Sequence, residues 1–197
     1  MNYILIYSIE GKASNTEKNF YEGLNHYLDK NKIKFISMDK STRTPNRDFS
    51  IDDMSIKEEK RNHNSLLNVW IFVIHDDDSI EQRNALDITY EHVKQRWIKS
   101  KEQLKEKDII IHPEIERIYD EGKSFDFLIW SFIGSDWKTY SNSKLYEKSK
   151  IRTNKQFFNN ILRESGIDFD DDNLIKLIHE KITNIPSNHS KIIDKLI

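Results

Sequence analysis

Three acids in succession, Asp76-Asp-Asp78, come just after the most apolar run of the chain, Val69-Trp-Ile-Phe-Val-Ile74, with His75 between. A second polar group, Glu10-Gly11-Lys12, follows the apolar run Asn2-Tyr-Ile-Leu-Ile-Tyr-Ser8 in the same way. If the two runs are neighbouring parallel strands, these acids converge, because open α/β sheets bind ligands beyond the carboxyl ends of their strands. Carboxylates gathered without neutralising bases repel and raise one another's pKa unless a cation fills the space. A hard divalent ion is therefore expected. With oxygen ligands and no cysteine in the chain, Mg2+ or Mn2+ is favoured, held by one or two carboxylates and completed by water and phosphate. Glu10, Asp76 and Asp78 are the expected metal ligands, and Lys12 can bind a phosphate oxygen as a point charge. Two registers stay open. Asp76 with Asp78 is the straightforward pair, while His75 with Asp77 fits if the strand ends one residue earlier and would put an imidazole where a carboxylate stood. One metal or two can be accommodated. The plainer reading of the triplet is a solvated turn with Asp78 or Ser79 capping the next helix; its pairing with Glu10 favours the metal.

The elements that must position these groups alternate in type. Asn2 to Ser8 reads as a central strand covered on both faces. Asn15 to Asn31 places Phe20, Leu24, Tyr27 and Leu28 at helical spacing, with Asn15 or Thr16 as cap. Ile33 to Met38 is a second β-rich run, and the polar stretch Lys40 to Phe49 with Pro45 is a loop. Ser50 caps a helix running through Met54, Ile56 and Glu59 towards Leu66 and Leu67. Val69 to Ile74 is the third strand. From Ile80 to about Lys105, Leu86, Tyr90, Val93 and Trp97 mark one face of the longest helix. Asp108-Ile-Ile-Ile-His-Pro113 is a fourth strand ended by proline, which puts His112 near the same edge as the acids. The order βαβαβαβ predicts an α/β fold, an open parallel four-stranded sheet flanked by helices. Phe157, Phe158, Ile161 and Leu162, then Leu174, Leu177 and Ile178, predict a helical C-terminal region. The expected division is an α/β core over residues 1–135 and a helical extension over 136–197, packed on the core. Trp70, Trp97 and Trp130 read as core; Trp137, beside Lys138 and Tyr140, reads as core, lid or a base-stacking platform.

Composition narrows the class. The chain has 197 residues, enough for one ordinary domain, and its 37% hydrophobic and 11% aromatic content supports a packed core despite 32% charged residues. With 31 basic and 33 acidic residues the net charge is −2, so no global positive field recruits nucleic acid or an anionic membrane. Any such partner needs a local patch; Lys144, Lys148, Lys150, Arg152 and Lys155 supply a basic cluster that could track a phosphate backbone or simply face solvent. No apolar run approaches the ~20 residues that span a bilayer. Without a secretory signal pattern or cysteine, a cytoplasmic location is expected.

Glu10-Gly11-Lys12 after the first strand, with Asp76 and Asp78 after the third, resembles the Toprim fold of primases, topoisomerases and small nucleases. Within that fold, the stretch from Glu10 to Leu24, in which Glu10-Gly-Lys leads into Asn19-Phe-Tyr21, is similar to the RloB-like branch. Ser124-Phe-Asp126 and its aromatic sequel also resemble that branch, with the tryptophan displaced. Two extra residues separate Lys12 from Thr16 relative to the usual pattern, and the likeness covers residues 2 to 135 in outline. It implies a metal-dependent phosphodiesterase or nuclease, with Glu10 as general acid or base and Asp76 and Asp78 on the metal. It further implies an accessory role in bacterial phage defence, beside an ATPase partner. The alternative is a non-catalytic Toprim-like module that binds metal or nucleic acid. A phosphoaspartate receiver or a haloacid-dehalogenase-type phosphatase would want its acidic pair after the first strand, the reverse of the order here.

Overall fold

Strand β1, Asn2–Ser8, is buried at every position from Tyr3 to Ser8. A run with no polar alternation can sit only where both faces of the sheet are covered. The computed structural model describes residues 1–8, 15–37, 53–76, 80–103, 108–120, 153–168, 173–183 and 188–197. After β1 come α1 (Asn15–Leu24), a 3-10 turn (Asn25–Tyr27), β2 (Asn31–Ser37), α2 (Asp53–Asn62), β3 (Leu67–Asp76), α3 (Ile80–Gln103) and β4 (Ile109–Asp120). Helices α4 (Asn154–Glu164), α5 (Leu174–Thr183) and α6 (Ser190–Ile193) follow. The four described strands lie in the order β2-β1-β3-β4, and every pair is parallel. The protein is thus an α/β fold with a parallel sheet flanked by helices. No described helix is long and apolar enough to cross a membrane.

Alternation along the strands builds two cores. Ile4, Ile6, Phe72 and Ile74 face Phe20 and Leu24 of α1 and the buried residues of α4, α5 and α6. On the other face, Tyr3, Leu5, Tyr7, Val69, Ile71 and Val73 meet Ile56 of α2 and Val93 and Trp97 of α3. Trp97 is core, as its spacing predicts, whereas Trp70 is only partly buried. Trp130 and Trp137 lie outside the described residues.

Four expectations about elements are corrected. Helix α1 stops at Leu24 because the Asn25 amide turns to β2: its Oδ1 accepts from Ile33 N at 2.7 Å and its Nδ2 donates to Ile33 O. An asparagine that finds a better backbone partner outside the helix ends the helix. Helix α2 ends at Asn62, and Leu67 opens β3, where it is 1% exposed and accepted into the sheet by Leu67 N donating to Asp108 O at 2.9 Å. Strand β3 itself runs beyond the apolar core of the run to include His75 and Asp76. Strand β4 passes through Pro113 instead of ending there.

The proline is carried by a bulge. Val69 pairs with Ile111 and Ile71 with Ile115, so three residues of β4, His112 to Glu114, stand opposite Trp70. A bulge frees backbone groups that must find other partners. Helix α3 supplies them: Trp97 Nε1 donates to His112 O at 3.1 Å and the Tyr90 hydroxyl donates to Ile115 O at 2.5 Å. His112 accordingly lies within the strand, stacked on Trp70 at 3.4 Å between ring centroids, and not at the carboxyl edge.

Candidate metal centre at the carboxyl edge

The edge that matters is where β1, β2, β3 and β4 end, at Ser8, Ser37, Asp76 and Asp120. Strands β1 and β3 are hydrogen-bonded neighbours, with Ser8 in register with Ile74, so the adjacency required for a shared cation is present. Strand β3 runs two residues further, and its last residue, Asp76, is in register with Asp120, the last residue of β4. Asp120 was missed in the sequence because Pro113 hid the strand leading to it. A strand read through the proline would have shown an acid at its carboxyl end.

Glu10, Lys12, Asp77 and Asp78 lie outside the described residues, Glu10 two positions past Ser8 and Asp78 two past Asp76. Lys150 and Arg152 also lie outside them. Lys155 is exposed at the start of α4, its ammonium 5.6 Å from the centroid of the Tyr27 ring. Tyr27 precedes β2, so Lys155 stands near the end of the sheet opposite Asp76. Beside it, Asn154 Nδ2 donates to Glu22 Oε2. Burial pushes the Glu22 carboxyl above its ordinary range, against the opposing influences of Lys18 and Asn154.

Two acids are buried elsewhere. Glu17, in the first turn of α1, is 4% exposed; as the crossover from β1 begins at the carboxyl edge, it is the described acid of α1 nearest that edge in the chain. A glutamate near a helix N-terminus is favoured by the dipole. Glu59 of α2 accepts from Lys32 Nζ at 2.9 Å and pairs with His63 Nε2 at 3.1 Å. Lys32 is the second residue of β2, which puts that pair at the amino edge, away from the candidate centre.

Ser8 Oγ, at the carboxyl edge, is buried without a hydrogen-bond partner among the described residues. Trp70 Nε1 and His112 Nε2 share that condition lower in the sheet, at the bulge. Over Trp70 lies the Lys195 ammonium, 4.1 Å from the ring centroid. Burial first, and Lys195 second, hold the His112 imidazole below its ordinary pKa. A neutral imidazole suits a site beside a cation.

Among the described residues no group of three or more histidine, aspartate or glutamate residues converges to hold a metal. The donor chemistry at the edge nevertheless fits a hard cation: an acid ends each of β3 and β4 in register, no thiol is available, and a buried hydroxyl is orphaned on the neighbouring strand. Comparison with family models, curated proteins and solved structures finds no match to this chain.

Proposed function

We propose that the protein is a Mg2+- or Mn2+-dependent phosphodiesterase of Toprim type, acting on nucleic acid as an accessory of a phage-defence system with an ATPase partner. The observation that supports it is the parallel pairing of β1 with β3, whose carboxyl ends lead directly to Glu10 and to the acidic triplet. In this reading Asp76, Asp78 and Glu10 would hold the cation. Such an ion, when bound, neutralises charge on phosphoryl oxygens and lowers the pKa of a bound water. Glu10 moves the proton at the scissile phosphodiester. Lys12 would place a point charge on a phosphate oxygen, and Lys150 and Arg152 would contact the nucleic-acid backbone further off, whereas Lys155, near the opposite end of the sheet, would stand apart from that path. Asp120 ends β4 in backbone register with Asp76.

The test has two arms. Millimolar MnCl2 should raise the melting temperature of the wild type by binding the folded state alone. Asp78→Asn should relieve repulsion and abolish that rise; an unchanged rise would mean that the acidic loop only caps α3. Labelled single- and double-stranded DNA and RNA, offered with Mg2+, Mn2+ or chelator, should be cleaved by the wild type and cleaved ~10²–10⁴-fold more slowly by Glu10→Gln. Equal rates would reject the role of Glu10. Metal-dependent binding without cleavage in every condition would instead identify a non-catalytic binding module.

A further inference from the structure

The bulge of β4 has two faces. Towards α3, the carbonyls it frees are taken up, His112 O by Trp97 Nε1 and Ile115 O by the Tyr90 hydroxyl. On the face of the Ile4 and Ile6 core, against which Trp70 packs, the indole of Trp70 and the imidazole of His112 lie almost parallel, 9° between planes and 3.4 Å between centroids. His112 covers one face of the indole, and the Lys195 ammonium, 4.1 Å from the Trp70 centroid, takes the other. Trp70 Nε1 and His112 Nε2 are both shut off from solvent, and neither has a hydrogen-bond partner among the described residues. Each forfeits its hydration without a replacement, so two of them on one stacked pair are a concentrated cost. They cannot satisfy each other. An indole N–H and an imidazole nitrogen both direct their bonds along the ring plane, and parallel planes leave the two side by side instead of aimed at one another.

We propose that a single internal water bridges Trp70 Nε1 and His112 Nε2 at a shared edge of the stack. A buried water needs at least a pair of polar partners, and it is the ordinary means by which orphaned buried groups are satisfied. Closure of both nitrogens against solvent excludes anything larger. Water also serves either tautomer of the imidazole: it accepts from the Trp70 N–H, and it donates to a bare Nε2 or accepts from a protonated one. An anion would require the second form alone. Burial and Lys195 hold the His112 imidazole towards its neutral state, which keeps a bare nitrogen available. The water joins β3 to β4 opposite Trp70, where three residues of β4 interrupt the ladder. This site is independent of the metal centre.

The experiment uses the full chain as wild type, Trp70→Phe and His112→Phe, each variant keeping a flat ring in the stack. Indole protons are read by NMR, with that of Trp70 assigned through its contact with the His112 ring, and long-lived internal waters are counted by oxygen-17 relaxation dispersion. The Trp70 indole proton should show a cross-peak to water whose sign marks dipolar contact and not chemical exchange. Both variants should hold one long-lived water fewer than the wild type. A Trp70 indole proton with no contact to water, or in contact with another side chain instead, would overturn the proposal. So would an unchanged water count in His112→Phe, since a water bound to Trp70 alone does not bridge. If Trp70→Phe fails to fold, the wild-type cross-peak and the count in His112→Phe decide between these outcomes.

Discussion

Gly23 and His112 show how single residues are set by neighbours distant in sequence. A Cβ on Gly23 would lie 2.4 Å from Phe158 Cβ and 2.6 Å from Asn154 O, so α1 and α4 approach as closely as they do because nothing projects there. Backbone cannot yield cheaply, and Gly23→Ala should cost about 1–3 kcal/mol by overpacking, read as a lower denaturant midpoint. A neutral or stabilising result, as expected for alanine in a helix with free space, would show that α4 can move away. His112 makes a pH prediction. In the unfolded chain its imidazole takes up a proton near 6.5, whereas in the folded protein burial and Lys195 hold its pKa lower. The unfolded state therefore binds more protons, and the stability present above pH 6.5 is lost as pH falls towards the folded value. Denaturant midpoints should drop between pH 7.5 and 5.5 in the wild type. His112→Phe keeps a flat ring against Trp70 and should drop less; an equal drop would exonerate the imidazole.

At the scale of elements, the ends of helices and strands depend on polar groups that periodicity does not display. Helix α4 begins at the side chain of Thr153, which accepts from Gln156 N at 3.2 Å. It ends in a Schellman motif: Gly166, at φ +70°, donates to Arg163 O at 3.1 Å and Ile167 N donates to Leu162 O at 2.9 Å. Because that φ strains any residue with a Cβ, Gly166→Ala should destabilise by ~1 kcal/mol even though open space surrounds the position. A melting temperature equal to that of the wild type would show the cap to be relaxed. The apolar stripes of α1, α3 and α4 were legible because burial of one face imposes a 3.6-residue period. The early end of α1 was not, since Asn25 serves β2 through Ile33, eight residues on. Nor was the length of β4: Pro113 reads as a stop, and only the carbonyl partners Trp97 and Tyr90 from α3 make a bulge affordable.

Across the whole molecule, the C-terminal residues close the sheet near its amino edge. Asn2 Nδ2 donates to Lys195 O, and Asn31 Nδ2 donates to Leu196 O at 3.0 Å. Lys191 Nζ lies 3.6 Å from Glu116 Oε2, and Ile192 and Ile193 are fully buried. Helix α6 has only four residues and no stability of its own, so Ile193→Ala should act on the global transition and cost ~2–5 kcal/mol. If only local hydrogen-exchange protection of residues 188–197 fell, with the unfolding midpoint unchanged, the segment would be an independent flap. The sequence by itself determined the order of strands and helices, the continuous burial of β1 and the acid at the end of β3, because strand and helix periods and the absence of polar residues from a doubly covered run are local properties. Tertiary structure decided which strands are neighbours, that Asp120 stands in register with Asp76, and that Ser8 is buried without a partner among the described residues. Those facts follow from the register between strands distant in the chain, which no local pattern encodes.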